Sequence, residues 1–243
     1  SRPITAIARV SQDAAPSPMP FAKWISRNSV TMARTPTHAD GYDAKGARRI
    51  YPSPENNKGP ILEVLKTVLP SSGLVLEVGA GSGQHTAHFA AHFSGLEWQA
   101  TEPEPDLRTS IAAWIDYAGI ENAPAPLELD CREDHWPVDQ ADAVISSNMI
   151  HISPWASCVG LIAGAARILG KGGILYIYGP FSEGGVHTSP GNANFNAALK
   201  SRNPEYGVRD LDDVTLLAKD HGFALERRVS MPSNNLSLIY RKS

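Results

Sequence analysis

Apolar side chains recur along this chain in two periods, one typical of helices and the other of strands. A helical period comes first, with apolar residues three and four positions apart at Ile61, Val64, Leu65, Val68 and Leu69. Farther along, short apolar runs predict strands at 74–78, 97–101, 126–130, 141–147, 173–179, 223–230 and 236–241. Segments of helical period begin near residues 83, 106, 155 and 210. Because strands and helices alternate, we predict a parallel sheet with helices on both faces.

Prolines and small polar residues mark the boundaries between these segments. Pro52, Pro54 and Pro60 predict a loop that leads into the first helix. Ser153 and Pro154 are expected to cap and begin the helix that follows them. Residues 182–208 are rich in Gly, Asn, Ser and Pro and form too long a stretch for an ordinary connection. We therefore expect one α/β domain over residues 51–243, with a lid-like insertion at 182–208.

The N-terminal arm, residues 1–50, differs from the rest of the chain in charge. Its first 39 residues hold five basic residues, five prolines and a single acidic residue, Asp13. An acid-poor composition with Arg and Ser is typical of organelle targeting segments, whereas the prolines disfavour the amphipathic helix that such segments form. The arm is therefore either an extended arm that lies on the domain or a targeting segment.

Composition excludes several classes of protein. Of the 243 residues, 42% are hydrophobic, but no apolar stretch approaches the roughly 18–20 residues that span a bilayer. The formal net charge of −3 gives no basic excess for binding phosphate backbones, so we expect no nucleic-acid or membrane partner. Cys131 and Cys158 fit neither a disulfide framework nor a zinc site, and the histidines show no metal-ligand spacing. We expect a cytoplasmic monomer or homodimer without a metal.

Three glycines follow the first predicted strand, at positions 79, 81 and 83 of the sequence Val-Leu-Glu-Val-Gly-Ala-Gly-Ser-Gly-Gln-His (75–85). Glycines at this spacing let the backbone turn sharply and approach a ligand at the N-terminus of the next helix. The dinucleotide-binding pattern requires a further glycine where this chain has Gln84. A nicotinamide-dependent reductase is therefore disfavoured, although it stays an alternative.

Acidic residues lie at or near the ends of the first three predicted strands: Glu77, Glu102 and Asp130. Glu102 follows Gly83 by 19 residues, close to the offset of about 20 at which a carboxylate binds the ribose of a nucleotide. Taken alone, Glu102 is also explained as an exposed loop acid, and Asp130 as a helix cap or a solvent-facing acid. Together they predict a nucleoside-binding edge of the sheet.

The Gly-x-Gly-x-Gly spacing with its preceding acid resembles motif I of class I methyltransferases that use S-adenosylmethionine (SAM). The chain is similar in particular to an uncharacterised family that includes methyltransferase-like protein 26. The similarity extends over 51–242 and is carried by 57–61, 76–91, 98–99, 148–154, 178–181, 202–204, 207–210 and 231–235. It implies a Rossmann-like, seven-stranded and mostly parallel sheet in the order 3-2-1-4-5-7-6, with strand 7 antiparallel. Asn194, Asn196 and Tyr206 depart from the family's usual Asp, Asp and Trp, so a different substrate is expected if relatives use those positions for binding.

The resemblance implies SAM as cofactor and S-adenosylhomocysteine (SAH) as product. Glu77 would help to hold the ammonium of SAM, directly or through water, and the amides of the glycine loop would line its methionyl part. Glu102 would bind the ribose, and Asp130 would lie beside the adenine. The complete set of expected cofactor-binding residues is Asn57, Glu77, Gly79, Ala80, Gly81, Gly83, His85, Glu102, Pro103, Asp130 and Asn148.

A methyl-acceptor pocket is expected where the fourth and fifth strands end, because ligands of such sheets bind beyond the carboxyl ends of the strands. The predicted catalytic residues are Asn148, His151, Tyr178 and Arg209, with Arg209 facing inward to pair with Asp210 or an acidic acceptor. His151 is either a general base or a residue that holds a backbone carbonyl beside the pocket. We expect SAM-dependent methylation of a small molecule; the alternative from another class is a SAM-binding scaffold protein without catalysis.

Overall fold

The structure, a computed structural model, describes residues 46–243, so the predicted arm lies outside the described residues except for 46–50. Its helices are α1 (Pro52–Leu65), α2 (Gln84–Ala90), α3 (Pro105–Ala118), α4 (Trp155–Ile168), α5 (Pro190–Lys200) and α6 (Leu211–Asp220). Its strands are β1 (Gly73–Val78), β2 (Leu96–Thr101), β3 (Ala141–Ser147), β4 (Leu169–Glu183), β5 (Val186–His187), β6 (Arg209–Asp210), β7 (Phe223–Met231) and β8 (Asn235–Lys242). Short 3-10 helices cover Met149–His151 and Pro232–Asn234. Among the described helices, none combines the length and the apolar character that a membrane crossing needs.

One sheet organises the domain, with its main strands in the order β2-β1-β3-β4-β8-β7. The first four of these strands run parallel, whereas β8 lies antiparallel between β4 and β7. The two-residue strands β5 and β6 pair with the end of β4. The predicted α/β fold, with one antiparallel strand inserted near an edge of a parallel sheet, is confirmed.

The strand expected at 126–130 is reduced to a single bridge beside β2. Leu127 donates its N–H to the carbonyl of Ala100 and accepts the N–H of Glu102, both at 3.0 Å. Pro124 and Pro126 carry no N–H, so this segment cannot donate along a longer ladder. The expected seven-stranded order 3-2-1-4-5-7-6 is therefore wrong in this detail, since its outer strand does not form and two short strands add to β4.

Two apolar clusters pack on opposite faces of the sheet. Helices α4 and α6 cover one face, where they meet strand residues such as Leu76 and Val144. Helices α1, α2 and α3 cover the other face, where they meet the adjacent strand residues Val75 and Ala143. Neighbouring residues of a strand point to opposite faces, which is why the central strands are apolar throughout. The loops at the carboxyl ends of the parallel strands lie at one edge of the sheet, between these two layers.

The first helix starts earlier than predicted. It begins at Pro52 and not near residue 61, because Pro52 and Pro54 lie in the first turn, where backbone N–H groups have no partner within a helix. Pro60 lies inside the helix and does not end it. As a result, the residues expected to form a loop before the domain are helical and lie next to the glycine loop.

The capping prediction for α4 is also wrong. Pro154 is the residue before the helix, and it makes no side-chain capping bond. The hydroxyl of Ser153 donates instead to the carbonyl of Met149, 2.7 Å away. This bond ties the 3-10 helix after β3 to the start of α4.

The insertion at 182–208 contains regular structure. It holds the end of β4, β5 and the eleven-residue helix α5, whose first turn is capped by Ser189 accepting the N–H of Asn192. The side chain of Asn192 donates to the carbonyl of Asn234, which anchors α5 to the loop before β8. The role of this segment as a lid stays a prediction.

Candidate functional site

All three glycines of the loop between β1 and α2, which we call the glycine loop, adopt left-handed backbone conformations. Gly79, Gly81 and Gly83 have φ values of 71°, 60° and 89°. The N–H of Gly79 donates to the carbonyl of Thr101 at 3.1 Å, which holds the loop against the end of β2. A β-carbon at Gly83 would lie 2.6 Å from the α-carbon of Ile111, so only glycine lets the loop pack this closely on α3.

Glu102, the first residue after β2, lies against this loop. Its side chain is 1% exposed, and Oε2 accepts the N–H of Gly81 at 2.9 Å. Oε1 accepts a longer bond of 3.4 Å from the N–H of Glu104. Burial raises the pKa of Glu102 to about 7, because these two bonds only partly replace the lost water. The carboxylate therefore has unused capacity to accept hydrogen bonds from a ligand.

The cavity next to Glu102, which we call the acidic cavity, has a volume of about 190 Å³. Its charged lining residues are Glu102, Glu104, Asp130 and Arg132. Asp130 accepts from Nε of Arg132 at 2.9 and 3.1 Å and forms an ion pair with the same guanidinium. These bonds hold the pKa of Asp130 below its usual range. The remaining walls are mostly apolar: Val78, Leu129, Cys131, Met149, Ile152, Pro154 and Tyr206.

A second cavity, which we call the neutral cavity, lies on the other side of Gly79 and also has a volume of about 190 Å³. Its walls are Tyr51, Ser53, Pro54, the glycine-loop residues 79–82, His85, Ser147, Asn148, Ile152 and Phe195. None of these described lining residues is Asp, Glu, Lys or Arg. Gly79 and Ile152 border both cavities, so the two form adjoining halves of one site.

Gln84, the residue that replaces the third glycine of the dinucleotide pattern, holds the start of α1 over the glycine loop. Its Oε1 accepts the N–H of Tyr51 at 2.7 Å and the hydroxyl of Ser82 at 2.9 Å. Its Nε2 donates to Oε1 of Glu55 at 2.6 Å and to the carbonyl of Tyr51 at 3.3 Å. The side chain is 3% exposed, so these bonds fix one wall of the neutral cavity.

A buried chain of polar side chains runs from the neutral cavity into the sheet. Nε2 of His85 lies 2.7 Å from Oδ1 of Asn57, and the side chain of Asn57 is near enough to the hydroxyl of Tyr178 to oppose the rise that burial causes in the pKa of that phenol. That hydroxyl accepts from Nδ2 of Asn235 at 2.9 Å. Since an amide oxygen can only accept, His85 carries its proton on Nε2. Burial, with repulsion from His88 and Lys58, lowers the pKa of His85 to about 3 and keeps its ring neutral.

Glu77 lies behind the glycine loop and lines neither cavity. Its Oε2 accepts from Nε1 of Trp98 at 2.8 Å and from the hydroxyl of Thr86 at 2.7 Å. Burial raises its pKa to about 7. Glu77 joins β1, β2 and α2 beneath the loop, and its expected part in holding the ammonium of SAM, directly or through water, stays a prediction.

His151 is fully buried and stands behind the site. Its Nδ1 accepts the backbone N–H of Arg209 at 3.2 Å, so the proton is on Nε2. Within residues 46–243, Nε2 has no hydrogen-bond partner. Burial, and then the charge of Arg209, lower the pKa of His151 to about 3. Such a ring keeps the one proton on Nε2 and does not take up a second near neutral pH, which argues against the general-base alternative.

The side chain of Arg209 donates hydrogen bonds to backbone carbonyls near His151. Its Nε donates to the carbonyl of Ile150 at 2.9 Å, and its terminal nitrogen donates to the carbonyls of Ser153 (2.6 Å) and Glu205 (2.8 Å). The expected pairing with Asp210 is wrong, because the Asp210 carboxylate caps α6 and binds the segment between β4 and β5. Arg209 therefore fastens the 3-10 helix after β3 to the insertion.

Asn148 lies at the end of β3 in a left-handed conformation, with φ at 63°. Its N–H donates to the carbonyl of Tyr178 at 2.7 Å, which joins the ends of β3 and β4. Asn148 lines the neutral cavity, whereas Tyr178 is 1% exposed and lines neither cavity. Of the four predicted catalytic residues, only Asn148 borders the cavity pair.

The structure brings most of the predicted cofactor residues to the two cavities. Those that line them are Gly79, Ala80, Gly81, His85, Glu102, Pro103, Asp130 and Asn148. Three lie behind the lining: Asn57, Glu77 and Gly83. Sequence reasoning did not select the apolar lining residues Met149, Ile152 and Phe195. The position of Phe195 as a large apolar residue within a polar insertion was the one available signal.

Comparison with known proteins places this site in context. The family model described as "Protein of unknown function (DUF938)" matches residues 48–242, which include every residue of both cavities.

Several solved structures with the same fold are described as methyltransferases. An O-methyltransferase family protein from Burkholderia thailandensis has a TM-score of 0.68 at 17% identity, over 79% of this chain and 57% of that one. An O-methyltransferase family 2 protein from Planctomyces limnophilus, solved with apigenin, has a TM-score of 0.67 at 19% identity, over 79% and 60%. A SAM-dependent methyltransferase called SibL has a TM-score of 0.65 at 17% identity, over 78% and 55%. The chain thus spans little more than half the length of these proteins and shares the Rossmann-like methyltransferase fold with them.

Proposed function

We propose that this chain, which belongs to the DUF938 family of proteins of unknown function, is a methyltransferase that uses SAM to methylate a small molecule. The observation that carries the proposal is the contact between Glu102 and Gly81. A buried carboxylate that accepts one glycine-loop amide and borders a cavity of about 190 Å³ is suited to accept the two hydroxyl protons of a ribose. The resemblance of the chain to class I methyltransferases supports the same assignment.

The residues present fit SAM in both cavities. Asp130 and Arg132, with Pro103 and apolar walls, suit an adenine in the acidic cavity. The loop residues 79–82 and His85 suit the methionyl part in the neutral cavity. When bound, SAM supplies an electrophilic methyl group on a sulfonium. The chain's own contribution is alignment of the acceptor and exclusion of water by the apolar walls.

We assign different roles to the four predicted catalytic residues. Asn148 lines the neutral cavity and is proposed to contact the acceptor. His151, Tyr178 and Arg209 are proposed to be positioning residues. Arg209 fixes the loop that follows β3, and its backbone N–H orients the ring of His151. Tyr178 holds Asn57, and Asn57 orients His85.

A SAM-binding protein without catalysis is the second candidate, and one observation favours it. The two histidines nearest the site have pKa values of about 3, so neither is a strong base near neutral pH. A reductase is disfavoured, because Gln84 holds the start of α1 where a dinucleotide-binding loop has glycine.

Calorimetry and thermal unfolding with SAM, SAH, NAD and NADP test the proposal. We expect SAM and SAH to bind and raise the melting temperature and the dinucleotides to leave it unchanged, because only a ligand that binds the folded state stabilises it. Stabilisation by NAD or NADP alone would contradict the proposal. Binding of SAM without methylation of any acceptor in a broad small-molecule screen would favour the non-catalytic candidate.

A further inference from the structure

Three N–H groups of the glycine loop are already bonded within the protein. Those of Gly79 and Ala80 both donate to the carbonyl of Thr101, at 3.1 and 3.0 Å. That of Gly81 donates to the carboxylate of Glu102 at 2.9 Å. These amides bear on the neutral cavity, because all three glycine-loop residues line it. This wall of the cavity therefore has little capacity left to donate to an anionic group of a ligand.

The ring of His85 presents a hydrogen-bond acceptor beside these amides. His85 lines the neutral cavity and is 6% exposed. Its Nε2 carries the proton and donates to Oδ1 of Asn57, 2.7 Å away, which leaves a lone pair on Nδ1. Within residues 46–243, Nδ1 has no hydrogen-bond partner, yet it is not among the unpartnered polar atoms that are closed off from solvent. Because His85 borders the neutral cavity, this lone pair is accessible from it.

Contacts on two sides fix the ring in this orientation. His85 stacks on Phe89, with the ring centroids 5.1 Å apart and the planes 12° from parallel. The bond to the buried amide of Asn57 fixes the tautomer from the other side. Lys58, whose charge acts on the ring, is itself paired with Glu55 at 2.6 Å. The neutral ring therefore offers a preorganised acceptor that does not repel a cation.

We infer, building on the methyltransferase activity proposed above, that Nδ1 of His85 accepts a hydrogen bond from the ammonium group of SAM and SAH. The amino acid part of these ligands is a zwitterion, and the described lining of the neutral cavity has no Asp or Glu to meet its ammonium. A neutral acceptor can take that place, because a hydrogen bond from a charged donor is stronger than one between neutral groups. The hydroxyl of Ser53 and the amide of Asn148 supply donors for the ligand carboxylate elsewhere in the lining.

A set of ligands that differ in their charged groups tests the inference. SAH carries both groups, its deaminated analogue keeps only the carboxylate, its decarboxylated analogue keeps only the ammonium, and methylthioadenosine carries neither. Calorimetry gives their affinities without a methyl acceptor. We expect the natural protein to bind SAH at least about tenfold more tightly than the deaminated analogue. Equal affinities for these two ligands would overturn the inference.

Two substitutions of His85 separate the roles of its two nitrogens. The amide of His85→Gln reaches about as far as Nε2 and can still donate to Asn57, but it leaves no acceptor in the place of Nδ1. His85→Asn places its oxygen near the position of Nδ1 and loses the bond to Asn57. We expect His85→Gln to weaken SAH and the decarboxylated analogue at least about tenfold and the deaminated analogue less than about threefold. His85→Asn should keep most of the preference for SAH over the deaminated analogue.

A merely structural role of His85 predicts a different pattern. Equal weakening of all the ligands by His85→Gln would overturn the inference. A larger loss of the preference for SAH over its deaminated analogue in His85→Asn than in His85→Gln would also overturn it. His135→Gln, at an exposed histidine that lines neither cavity, is the control. Loss of this preference in Glu77→Gln but not in His85→Gln would assign the ammonium to Glu77 instead.

The natural protein gives a readout that does not depend on how well the variants fold. In the nitrogen NMR spectrum, the signal of the unprotonated Nδ1 of His85 should move upfield when SAH binds, because its lone pair then accepts a hydrogen bond. The deaminated analogue should move it much less. Equal changes with the two ligands would overturn the inference.

The same measurements distinguish failure of the inference from failure of the proposed function. If neither SAM nor SAH binds, the proposed function is removed, and the inference with it. If SAH binds but its affinity does not depend on the ammonium, the role of His85 is overturned while SAM binding stands.

Discussion

The imidazole of His151 lies directly against the backbone of Gly179. A β-carbon at position 179 would be 2.6 Å from Cδ2 of His151 and would also clash with Nε2. The ring cannot move away, because His151 is fully buried and its Nδ1 is bonded to Arg209. We predict that Gly179→Ala lowers the free energy of unfolding by about 1–3 kcal/mol, measured by chemical denaturation.

A double mutant checks the cause of that loss. His151→Ala removes the ring, so Gly179→Ala should cost clearly less in the His151→Ala background than in the natural chain. Gly170→Ala serves as the control, since a β-carbon there would meet no atom within 4 Å. Equal costs of Gly179→Ala in both backgrounds would show that the His151 contact is not the cause.

Loss of the Glu102 carboxylate should weaken SAM binding. Glu102→Ala removes an acceptor of two expected ribose hydrogen bonds, so we predict a loss of about 1–3 kcal/mol in calorimetry. Glu128→Gln is the matched control, because Glu128 is an exposed acid paired with Arg108. Unchanged SAM affinity in Glu102→Ala would contradict the ribose assignment.

Glu102 should also leave a signature in the dependence of stability on pH. Burial raises its pKa to about 7, so its contribution to stability is complete below the usual pKa of a glutamate and is lost as pH rises to about 7. Glu102→Gln removes this dependence. The stability of the variant relative to the natural protein should therefore be more favourable at about pH 8 than at about pH 5.

The test compares the natural protein with Glu102→Gln because two histidines change the stability with pH in the direction opposite to Glu102. The pKa values of His85 and His151 are lowered to about 3, so their contributions are present at neutral pH and are lost as pH falls. Both proteins contain these histidines, and their effect cancels in the difference. Chemical denaturation at the two pH values gives the measurement, and a difference that does not change with pH would contradict the raised pKa of Glu102.

Gln84 should control how firmly the start of α1 closes over the glycine loop. Gln84→Ala removes its bonds to Tyr51 and Glu55, so we expect faster hydrogen exchange in residues 51–57 and weaker SAM binding. Glu55→Gln, which retains an acceptor for Gln84, should change exchange much less. Equal exchange in Gln84→Ala and the natural protein would show that other contacts hold this segment.

The residues behind the site should affect turnover more than cofactor binding. Once an acceptor is identified, we predict that His151→Ala and Arg209→Ala lower kcat at least about tenfold while SAM affinity in calorimetry changes less than about threefold. Arg209→Lys should restore part of the activity, since a lysine can still reach one of the three carbonyls. If both alanine variants keep natural turnover, their positioning role is wrong.

The fold could be predicted from the sequence because the strongest signals were local. The apolar run of β1 and the glycines after it placed the first strand, the loop and the next helix correctly. The start of α1 could not be predicted from Pro52 and Pro54, because a proline is compatible with both a loop and a first helical turn. The strand at 126–130 was predicted from its apolar residues, although the sequence also shows Pro124 and Pro126, which carry no N–H and argue against a long strand.

The site was only partly predictable, because sequence spacing reveals which residues are near but not which way they face. Glu102 and Glu77 are both acids near strand ends, and both are buried. Glu102 turns toward Gly81 and the cavity, whereas Glu77 turns toward Trp98 and away from it. Arg209 was expected to bind an acid, but three backbone carbonyls take its donors. Contacts of this kind depend on tertiary packing between distant segments.

The division of the site at Gly79 has a consequence for how proteins of this family diverge. The residues proposed to bind the cofactor come from the glycine loop and the segments after β2, which are tied to the central sheet. The outer wall of the neutral cavity comes from the start of α1 and from Phe195 of α5, which lie at the periphery. Mutations in these peripheral helices can change substrate choice while the nucleoside half is conserved, so relatives can acquire new substrates by drift in two short segments.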